Sequence, residues 1–306
     1  MEVTFFGESM LELSREPLHR NLGGHTINMA TYMARFARSR SMNVTYATAL
    51  GVDCVSDHLL ERWQREEINT HLVMRIDNKL PGLYFVEDSP SASPIIHYWK
   101  DDSAARYYFS AERSPLAMAA ARGEIEAFCI SGISLAILKP ESRGRLVMLV
   151  RQLKAQGSKI IFDNAFCSQR WNRSEAIEWY SQILPLADIA YLDESDEYAV
   201  WGKSQSIQSR CRLFGCPEVI VRGSGKPCLL LSSHKEVTKT EELASDLPEH
   251  WVNAKATRAA FFAAYLSERL AGRDMYSAAM FGDIVAGRVE KCHHGLIPVT
   301  SMDDLL

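Results

Sequence analysis

A glycine-rich stretch that follows a predicted strand has the residue types that bind phosphate. It reads VRGSGK at 221–226, where backbone N–H groups and a lysine can meet an anion. A P-loop, however, requires the pattern G-x-x-x-x-G-K-[ST]. Here Ile220 stands at the first glycine and Pro227 at the hydroxyl position. The sequence therefore excludes a P-loop nucleotide hydrolase.

Three further groups of residues have side chains that bind metal ions. The acidic run DESDE at 193–197 supplies carboxylates, although a solvated helix start explains the same run. The run CHH at 292–294 has neighbouring side chains that diverge, and Cys211 and Cys216 have no second pair. We expect no structural metal site. Seven unpatterned cysteines in a long chain favour a reducing cytoplasm.

Length and composition are those of an ordinary globular chain. The 306 residues are 47% hydrophobic and 24% charged, with a net charge of −4. These values exclude disordered, collagen-like and polybasic nucleic-acid-binding proteins. The longest apolar runs, at 133–138 and 259–266, are shorter than the roughly 20 residues of a membrane span. The N-terminus shows no secretory signal, so we expect a cytoplasmic protein with no membrane span and no nucleic-acid partner.

Short apolar runs alternate with amphipathic runs along the chain. The apolar runs predict strands over 3–6, 44–49, 128–131, 159–163, 189–192, 218–221 and 229–231. The amphipathic runs predict helices over 26–38, 57–66, 141–156, 256–270 and 275–289, and one that begins at 172. Asn172 and Glu175 have the spacing of a capping box. The alternation predicts an α/β fold whose mostly parallel sheet is covered on both faces.

One segment interrupts this alternation. From about 71 to 99 the pattern is strand, turn, strand, in the runs HLVMRI, PGLYFVE and IIHYW, with no room for a helix. We interpret this segment as a β insertion. Together with part of 9–22, it is predicted to form a lid over the site of a single domain, residues 1–306.

Blocks of residues from about 3 to 298 resemble the PfkB (ribokinase-like) sugar kinases, and most closely the 2-keto-3-deoxygluconate kinases. The blocks are GESMLELS at 7–14, GGHTIN at 23–28, ALGVD at 49–53, LPGLY at 80–84, YWK at 98–100, SGISLAIL at 131–138, FDN at 162–164, Trp171, DE at 196–197, WG at 201–202 and GLIP at 295–298. Each block alone is a weak signal. Their order and spacing over nearly the whole chain carry the resemblance.

The resemblance implies a ribokinase-like three-layer sandwich with a small β lid. It also implies a sugar acid beneath the lid, ATP and Mg²⁺ along the carboxyl ends of the strands, and a homodimer formed through the lid. The alternation of elements and the β insertion predict the same architecture independently.

The residues that would transfer phosphate differ from the pattern of this family. The family carries D-T-T-[GA]-A-G-D at the start of a helix, followed by F-x-A-G-Y-L, which reads FFAAYL at 261–266 here. In that register Asn253 replaces the first Asp, Arg258 the glycine of the anion hole, and Ala259 the catalytic Asp. A methyl group cannot accept a proton. Glu268, nine residues further along the helix, is about 13.5 Å away at 1.5 Å per residue, so we predict no catalytic residue here.

On the substrate side, the resemblance places the sugar acid beneath the lid. The implied ligands are Gly24, Asn28, Tyr84, Tyr98 and Lys100. His25 replaces an aspartate of the family, and Cys167 replaces the arginine expected to meet the substrate carboxylate. Arg170 stands three residues further on and compensates if the loop shifts.

On the nucleotide side, the resemblance implies contacts from Arg222, Gly223, Gly225 and Lys255. Lys255 and Arg258 also carry charge that can bind phosphate in place of the anion hole. Glu197 matches the acidic residue that the family links to Mg²⁺. We expect ATP and Mg²⁺ as cofactors only if nucleotide binding is retained.

Two functional hypotheses follow from these substitutions. The leading one is a pseudokinase that binds a sugar acid or a protein partner, as a scaffold or regulator. The alternative is an active ATP-dependent kinase of 2-keto-3-deoxygluconate or a related sugar, with a displaced catalytic base. A nicotinamide-linked enzyme is disfavoured, because no G-x-G-x-x-G follows the first strand.

Overall fold

The computed structural model describes residues 1–14, 19–87, 95–99, 101–111, 113–223, 228–233, 235–239, 251–291 and 295–306. For residues 14, 19–22, 235–239 and 251–255 it describes the backbone alone. Lys100, Gly225 and the run at 292–294 lie outside the described residues, as does the side chain of Lys255.

Strands and helices alternate over most of the described chain. The strands are β1 Glu2–Phe6, β2 Met10–Ser14, β3 His19–Gly23, β4 Asn43–Leu50, β5 Ile68–Asn69, β6 Val73–Arg75, β7 Gly82–Glu87, β8 Ile95–Trp99, β9 Ala127–Ser131, β10 Lys159–Asp163, β11 Ile189–Asp193, β12 Glu218–Arg222, β13 Leu229–Ser232 and β14 Lys235–Lys239. The helices are α1 His25–Ala37, α2 Cys54–Arg65, α3 Pro115–Ala121, α4 Gly132–Ala136, α5 Pro140–Ala155, α6 Arg173–Ile183, α7 Glu194–Trp201, α8 Ile207–Phe214, α9 Trp251–Leu270 and α10 Met275–Glu290.

The central sheet has the order β14-β13-β12-β11-β10-β9-β1-β4-β5, with β6 paired to β4. Its pairs from β12 to β6 are parallel, and β13 and β14 form an antiparallel edge. Helices cover both faces of the sheet. Successive residues of a strand point to opposite faces, so each strand contacts helices on both sides. Phe5 packs in the cluster with α1, α9 and α10, whereas Phe6 packs with α3, α5 and α6. The predicted α/β class with a mostly parallel sheet is confirmed.

A second sheet, here called the small sheet, has the order β3-β2-β7-β8. Strand β2 pairs with β3 antiparallel and with β7 parallel, and β7 pairs with β8 antiparallel. The predicted strand at 71–76 does not belong to it. Instead, Val73–Arg75 pairs in parallel with β4 in the central sheet. It lies further along the strand β4, with which β5 also pairs. Strands β7 and β8 are thus the part of the 71–99 segment that enters the small sheet.

Two predicted helices begin earlier than expected. Helix α2 begins at Cys54, because the Asp53 carboxylate accepts hydrogen bonds from the N–H groups of Val55 and Ser56. Helix α9 begins at Trp251 instead of residue 256. The run WVNAKA at 251–256 contains no glycine or proline, and alanine is the best helix former. In the described chain, no helix is long and apolar enough to cross a membrane.

The predicted capping box at Asn172 is confirmed. Its side chain accepts a hydrogen bond of 2.9 Å from the Glu175 N–H, and the Glu175 carboxylate accepts one of 3.2 Å from the Asn172 N–H. These bonds satisfy two donors that a helix start leaves without intrahelical partners.

We expect Asn172→Ala to lower the free energy of unfolding by about 1 kcal/mol, because it removes this cap. Urea denaturation measures the change. Ser181→Ala is the matched control on the same helix, since the exposed Ser181 hydroxyl bonds only its own preceding turn at Ile177. The control should stay within about 0.5 kcal/mol of the wild type, and equal effects in both variants would contradict the cap's role.

Candidate functional site

A pocket lies between the small sheet and the central domain. Four of the residues predicted to bind substrate line it together, namely Gly24, Asn28, Tyr84 and Tyr98. Gly24 is the N-cap of α1, with φ of +130°, and a Cβ there would approach the Glu8 carbonyl oxygen to 2.6 Å. This position therefore requires glycine, and the close approach brings the start of α1 against the loop after β1.

The pocket also contains an arginine–glutamate pair. Arg170 Nη2 donates to Glu8 Oε2 at 2.7 Å, and these side chains are 4% and 1% exposed. Ser103 donates to the other Glu8 oxygen, and the Arg170 guanidinium lies 5.6 Å from the ring centroid of Tyr98. Arg170 thus reaches the pocket from three residues beyond Cys167, which also lines it. Glu8 was not among the predicted site residues, although Glu8 directly follows the glycine after β1.

Two polar atoms of this pocket have no hydrogen-bond partner among the residues that the structure describes. Arg170 Nη1 and Asn28 Oδ1 are buried, and neither makes a hydrogen bond with the described residues. A buried unsatisfied donor or acceptor costs about 1–3 kcal/mol, so these two atoms of the pocket lining are candidates for contact with a ligand. One atom is a charged donor and the other a neutral acceptor, which suits a ligand that carries both an anion and hydroxyl groups.

Two tyrosines complete the polar lining. Burial raises the pKa of Tyr98 to about 12, and burial and the Glu12 carboxylate raise the pKa of Tyr84 well above its usual value. Both phenols therefore stay protonated at neutral pH and can donate hydrogen bonds. Tyr84 donates to Glu12, a second carboxylate of the pocket.

An ion cluster lies beside the pocket, at the carboxyl ends of β10 and β11. Arg258 Nη2 donates to the carboxylate of Asp163 and, at 2.7 Å, to Asn164 Oδ1. Its Nη1 donates to Asp196 Oδ2 at 2.6 Å. His25 Nε2 lies 2.7 Å from the other Asp163 oxygen. Arg258 is 8% exposed, so this guanidinium is an internal part of the protein.

The charges of this cluster determine how Asp163 ionises. Burial alone would raise the pKa of Asp163, but Arg258 and His25 outweigh burial and hold that pKa well below its usual range. Asp163 is therefore ionised throughout the physiological pH range. The pKa of Arg258 is raised, because the neighbouring carboxylates outweigh the effect of its burial.

The structure changes how the segment at 256–259 is to be understood. Because α9 begins at Trp251, the N–H groups of 256–259 lie inside the helix and bond to carbonyls one turn earlier. They are not free to bind a phosphate as an anion hole would. Ala259 is fully buried in the core and offers no proton acceptor. Among the predicted nucleotide contacts, Arg222 lies away from the pocket lining, with its guanidinium over Phe261 and 3.2 Å from Asp283, and Gly223 follows β12.

The residues described here do not fit a divalent cation at the predicted position. Glu197 Oε1 accepts from Asn164 at 3.0 Å and Oε2 accepts from Arg210 at 3.0 Å, and the residue is 2% exposed. Asp196 is engaged by Arg258. No group of three or more His, Cys, Asp or Glu in the described ranges is arranged to hold a metal ion. The run at 193–197 forms the start of α7, and a helix start was one of the two predicted explanations for these carboxylates. Its last residue, Glu197, is nevertheless buried.

The fold is that of an α/β protein with a pocket beneath a second sheet. The chain belongs to the pfkB family of carbohydrate kinases, whose family model matches residues 6–298. This confirms the resemblance inferred from the sequence blocks.

Two relatives show the similarity over full length. The chain is 36% identical to the 2-dehydro-3-deoxygluconokinase of Dickeya dadantii over 306 residues, and 34% identical to that of Escherichia coli K12 over 307 residues. Each comparison covers 98% of this chain and 98% of the relative. The crystal structure of 2-dehydro-3-deoxygluconokinase from Thermotoga maritima matches with a TM-score of 0.79 at 17% identity, over 100% of this chain and 98% of that chain. The ribokinase-like fold is confirmed.

We expect Asp163→Asn to lower the free energy of unfolding at pH 7 by about 3–5 kcal/mol, because it removes a buried carboxylate that bonds to both the buried Arg258 and His25. The depressed pKa fixes the pH dependence. The stabilisation from Asp163 is present above the unfolded pKa, near 3.9, and is lost as pH falls through the lower folded pKa. Urea denaturation from pH 7 to pH 3 should therefore show the difference between wild type and variant shrinking.

Asp304→Asn is the matched control for this measurement. Asp304 pairs with Arg288 at the surface, where its side chain is 67% exposed, and exposed pairs contribute little. A pH-independent difference between Asp163→Asn and the wild type would contradict the assignment of this titration to Asp163.

Proposed function

We propose that this member of the pfkB family binds a 2-dehydro-3-deoxy sugar acid in the pocket beneath the small sheet. The observation that carries the proposal is Arg170, whose Nη1 is buried, unpartnered and part of the pocket lining. Glu8 holds the other terminal nitrogen at 2.7 Å, so the guanidinium is fixed in orientation before a ligand arrives. A carboxylate is the complementary group for such a donor.

The rest of the pocket supports a polyhydroxylated ligand. Asn28 Oδ1 offers a hydroxyl group an acceptor that has no partner among the described residues, and the protonated phenol of Tyr98 lines the same pocket. Met10, Val86 and Ile96 add apolar surface from the small sheet. A few fixed polar groups within an apolar wall are typical of small-molecule sites.

For the chemistry, the geometry best supports binding without efficient phosphoryl transfer. A general base contributes about 10²–10⁴-fold to such a rate, and Ala259 supplies none. Arg258 also occupies the space beside Asp163 and Asp196, and the N–H groups of 256–259 are bonded within α9 and form no anion hole. The protein would then act as a ligand-binding scaffold or regulator with a protein partner.

A second candidate is an active 2-dehydro-3-deoxygluconokinase with a displaced base. The comparisons favour this candidate, because the curated relatives at 34–36% identity carry that activity in their names and match over their full length. His25 is then the group to consider as base. It lines the pocket and is oriented by the Asp163 carboxylate at 2.7 Å, in the way that a carboxylate orients a catalytic histidine.

The outer side of the small sheet supports a homodimer. Ile95 and Trp99 on β8 are 55% and 60% exposed, and neighbouring exposed apolar side chains mark interaction surfaces. We place the dimer contact implied by the family resemblance on this side of β8.

We expect Arg170→Gln to weaken binding of 2-dehydro-3-deoxygluconate by about ten- to a hundredfold, because a charge-assisted hydrogen bond is lost. Titration calorimetry should also show the selectivity for the acid over its primary amide collapsing. A purely structural role for Arg170 would weaken both ligands equally.

Arg143→Gln is the matched control for this measurement. Arg143 is similarly buried, but it bonds the Leu135 carbonyl and Glu175 away from the pocket. The control should keep the wild-type selectivity for the acid. If the wild type binds no sugar acid at all, the proposed function is wrong.

The rate of ATP-dependent phosphorylation distinguishes the two candidates. We expect the wild type to turn over 2-dehydro-3-deoxygluconate at about 0.1 s⁻¹ or below, roughly a hundredfold under the ordinary rate of ~10 s⁻¹, because no base stands at Ala259. A coupled assay measures this. A rate near 1 s⁻¹ or above would favour the active kinase, and loss of that rate in His25→Ala would then assign the base.

A further inference from the structure

We propose that Arg258 is an internal cation that fills a divalent-cation site, so that the protein needs no such ion at this position. The atoms that accept hydrogen bonds from its guanidinium are all oxygen atoms and come from two places in the chain. Asp163 and Asn164 stand at the end of β10, and Asp193 and Asp196 at the start of α7. Carboxylate and amide oxygens are the ligands that Mg²⁺ and Ca²⁺ prefer.

These four side chains converge on the guanidinium group of Arg258. Arg258 Nη2 contacts the carboxylate of Asp163 and lies 2.7 Å from Asn164 Oδ1. Its Nη1 lies 2.6 Å from Asp196 Oδ2 and 3.9 Å from Asp193 Oδ2. Three carboxylates and an amide thus surround a single positive charge.

The charge balance explains why a cation must be present here. Burial raises the pKa of Asp196, and Arg258 opposes that rise. Without Arg258, the carboxylates of Asp163 and Asp196 would be like charges in a buried site, with the His25 ring as the remaining partner of Asp163. Buried like charges are strongly unfavourable. Removing the guanidinium therefore leaves a site that recovers stability from any small cation that enters it.

The neighbouring carboxylate is neutralised in the same way. Glu197 is held by Arg210 and by the amide of Asn164, so it is not available to replace Asp196 as an oxygen ligand. Both acidic residues of the 196–197 block are thus paired with arginines of the protein. Phosphoryl-transfer enzymes use bound Mg²⁺ to neutralise the negative charge that develops during the transfer. In this protein, arginine side chains neutralise the carboxylates of the 196–197 block permanently. This inference does not depend on the identity of the ligand.

The test is thermal denaturation of Arg258→Ala in EDTA and in millimolar Mg²⁺ or Ca²⁺. We expect the variant to melt below the wild type in EDTA. A divalent ion at well above its Kd should then raise the Tm of the variant by several degrees, about 2–6 °C, by binding the folded state alone. The wild type should show no cation-dependent shift. Titration calorimetry of the variant with Mg²⁺ should give one site per chain.

Arg35→Ala is the matched control, because Arg35 is also buried and paired, but with the single carboxylate of Glu66 at 2.7 Å. It should lose stability without any recovery by divalent ions. If Arg258→Ala does not fold, Arg258→Gln takes its place, since it keeps a polar side chain of intermediate length. The proposal is overturned if neither variant at position 258 responds to Mg²⁺ or Ca²⁺, or if the wild type responds equally.

Discussion

The contact between Arg258 on α9 and Asp163 on β10 joins this helix to the middle of the central sheet. The arrangement of the candidate site depends on that contact. Asp163 ends β10, next to β9 and β11, and its second oxygen orients His25 at the start of α1. One buried carboxylate therefore connects α1, β10 and α9. Because its two oxygens bond to the side chains of Arg258 and His25, these contacts hold the three elements together beside the pocket.

Much of the architecture could be predicted, because it depends on local patterns. The buried run IIF at 160–162 and the amphipathic run at 26–38 each reveal their element through periodicity alone. Asn172 and Glu175 lie three residues apart, so the capping box was visible as well. The small sheet was harder, because the run at 71–76 has the composition of a strand but its partner, β4, can be known only from the fold.

The site could be predicted only where a residue acts near its own place in the chain. Gly24 and Asn28 lie on the first turns of one helix, and both line the pocket. The pairing of Arg170 with Glu8 joins positions 162 residues apart, and that of Arg258 with Asp163 joins positions 95 apart. No spacing rule relates such residues. The substitution at Arg258 was visible as a lost glycine, but its acidic partners on β10 and α7 could be known only from the fold, which brings these elements together around the guanidinium.

The parallel pairing of β2 with β7 has a consequence for the order of folding. Met10 pairs with Gly82, so the small sheet cannot form until the intervening chain, with α1, β4 and α2, has been brought into place. Contacts between such distant segments bear their loop-closure entropy before they gain any stability. We therefore expect the pocket to form late in folding and to be among the first regions to open in the native state. A ligand held between the two sheets would slow that opening.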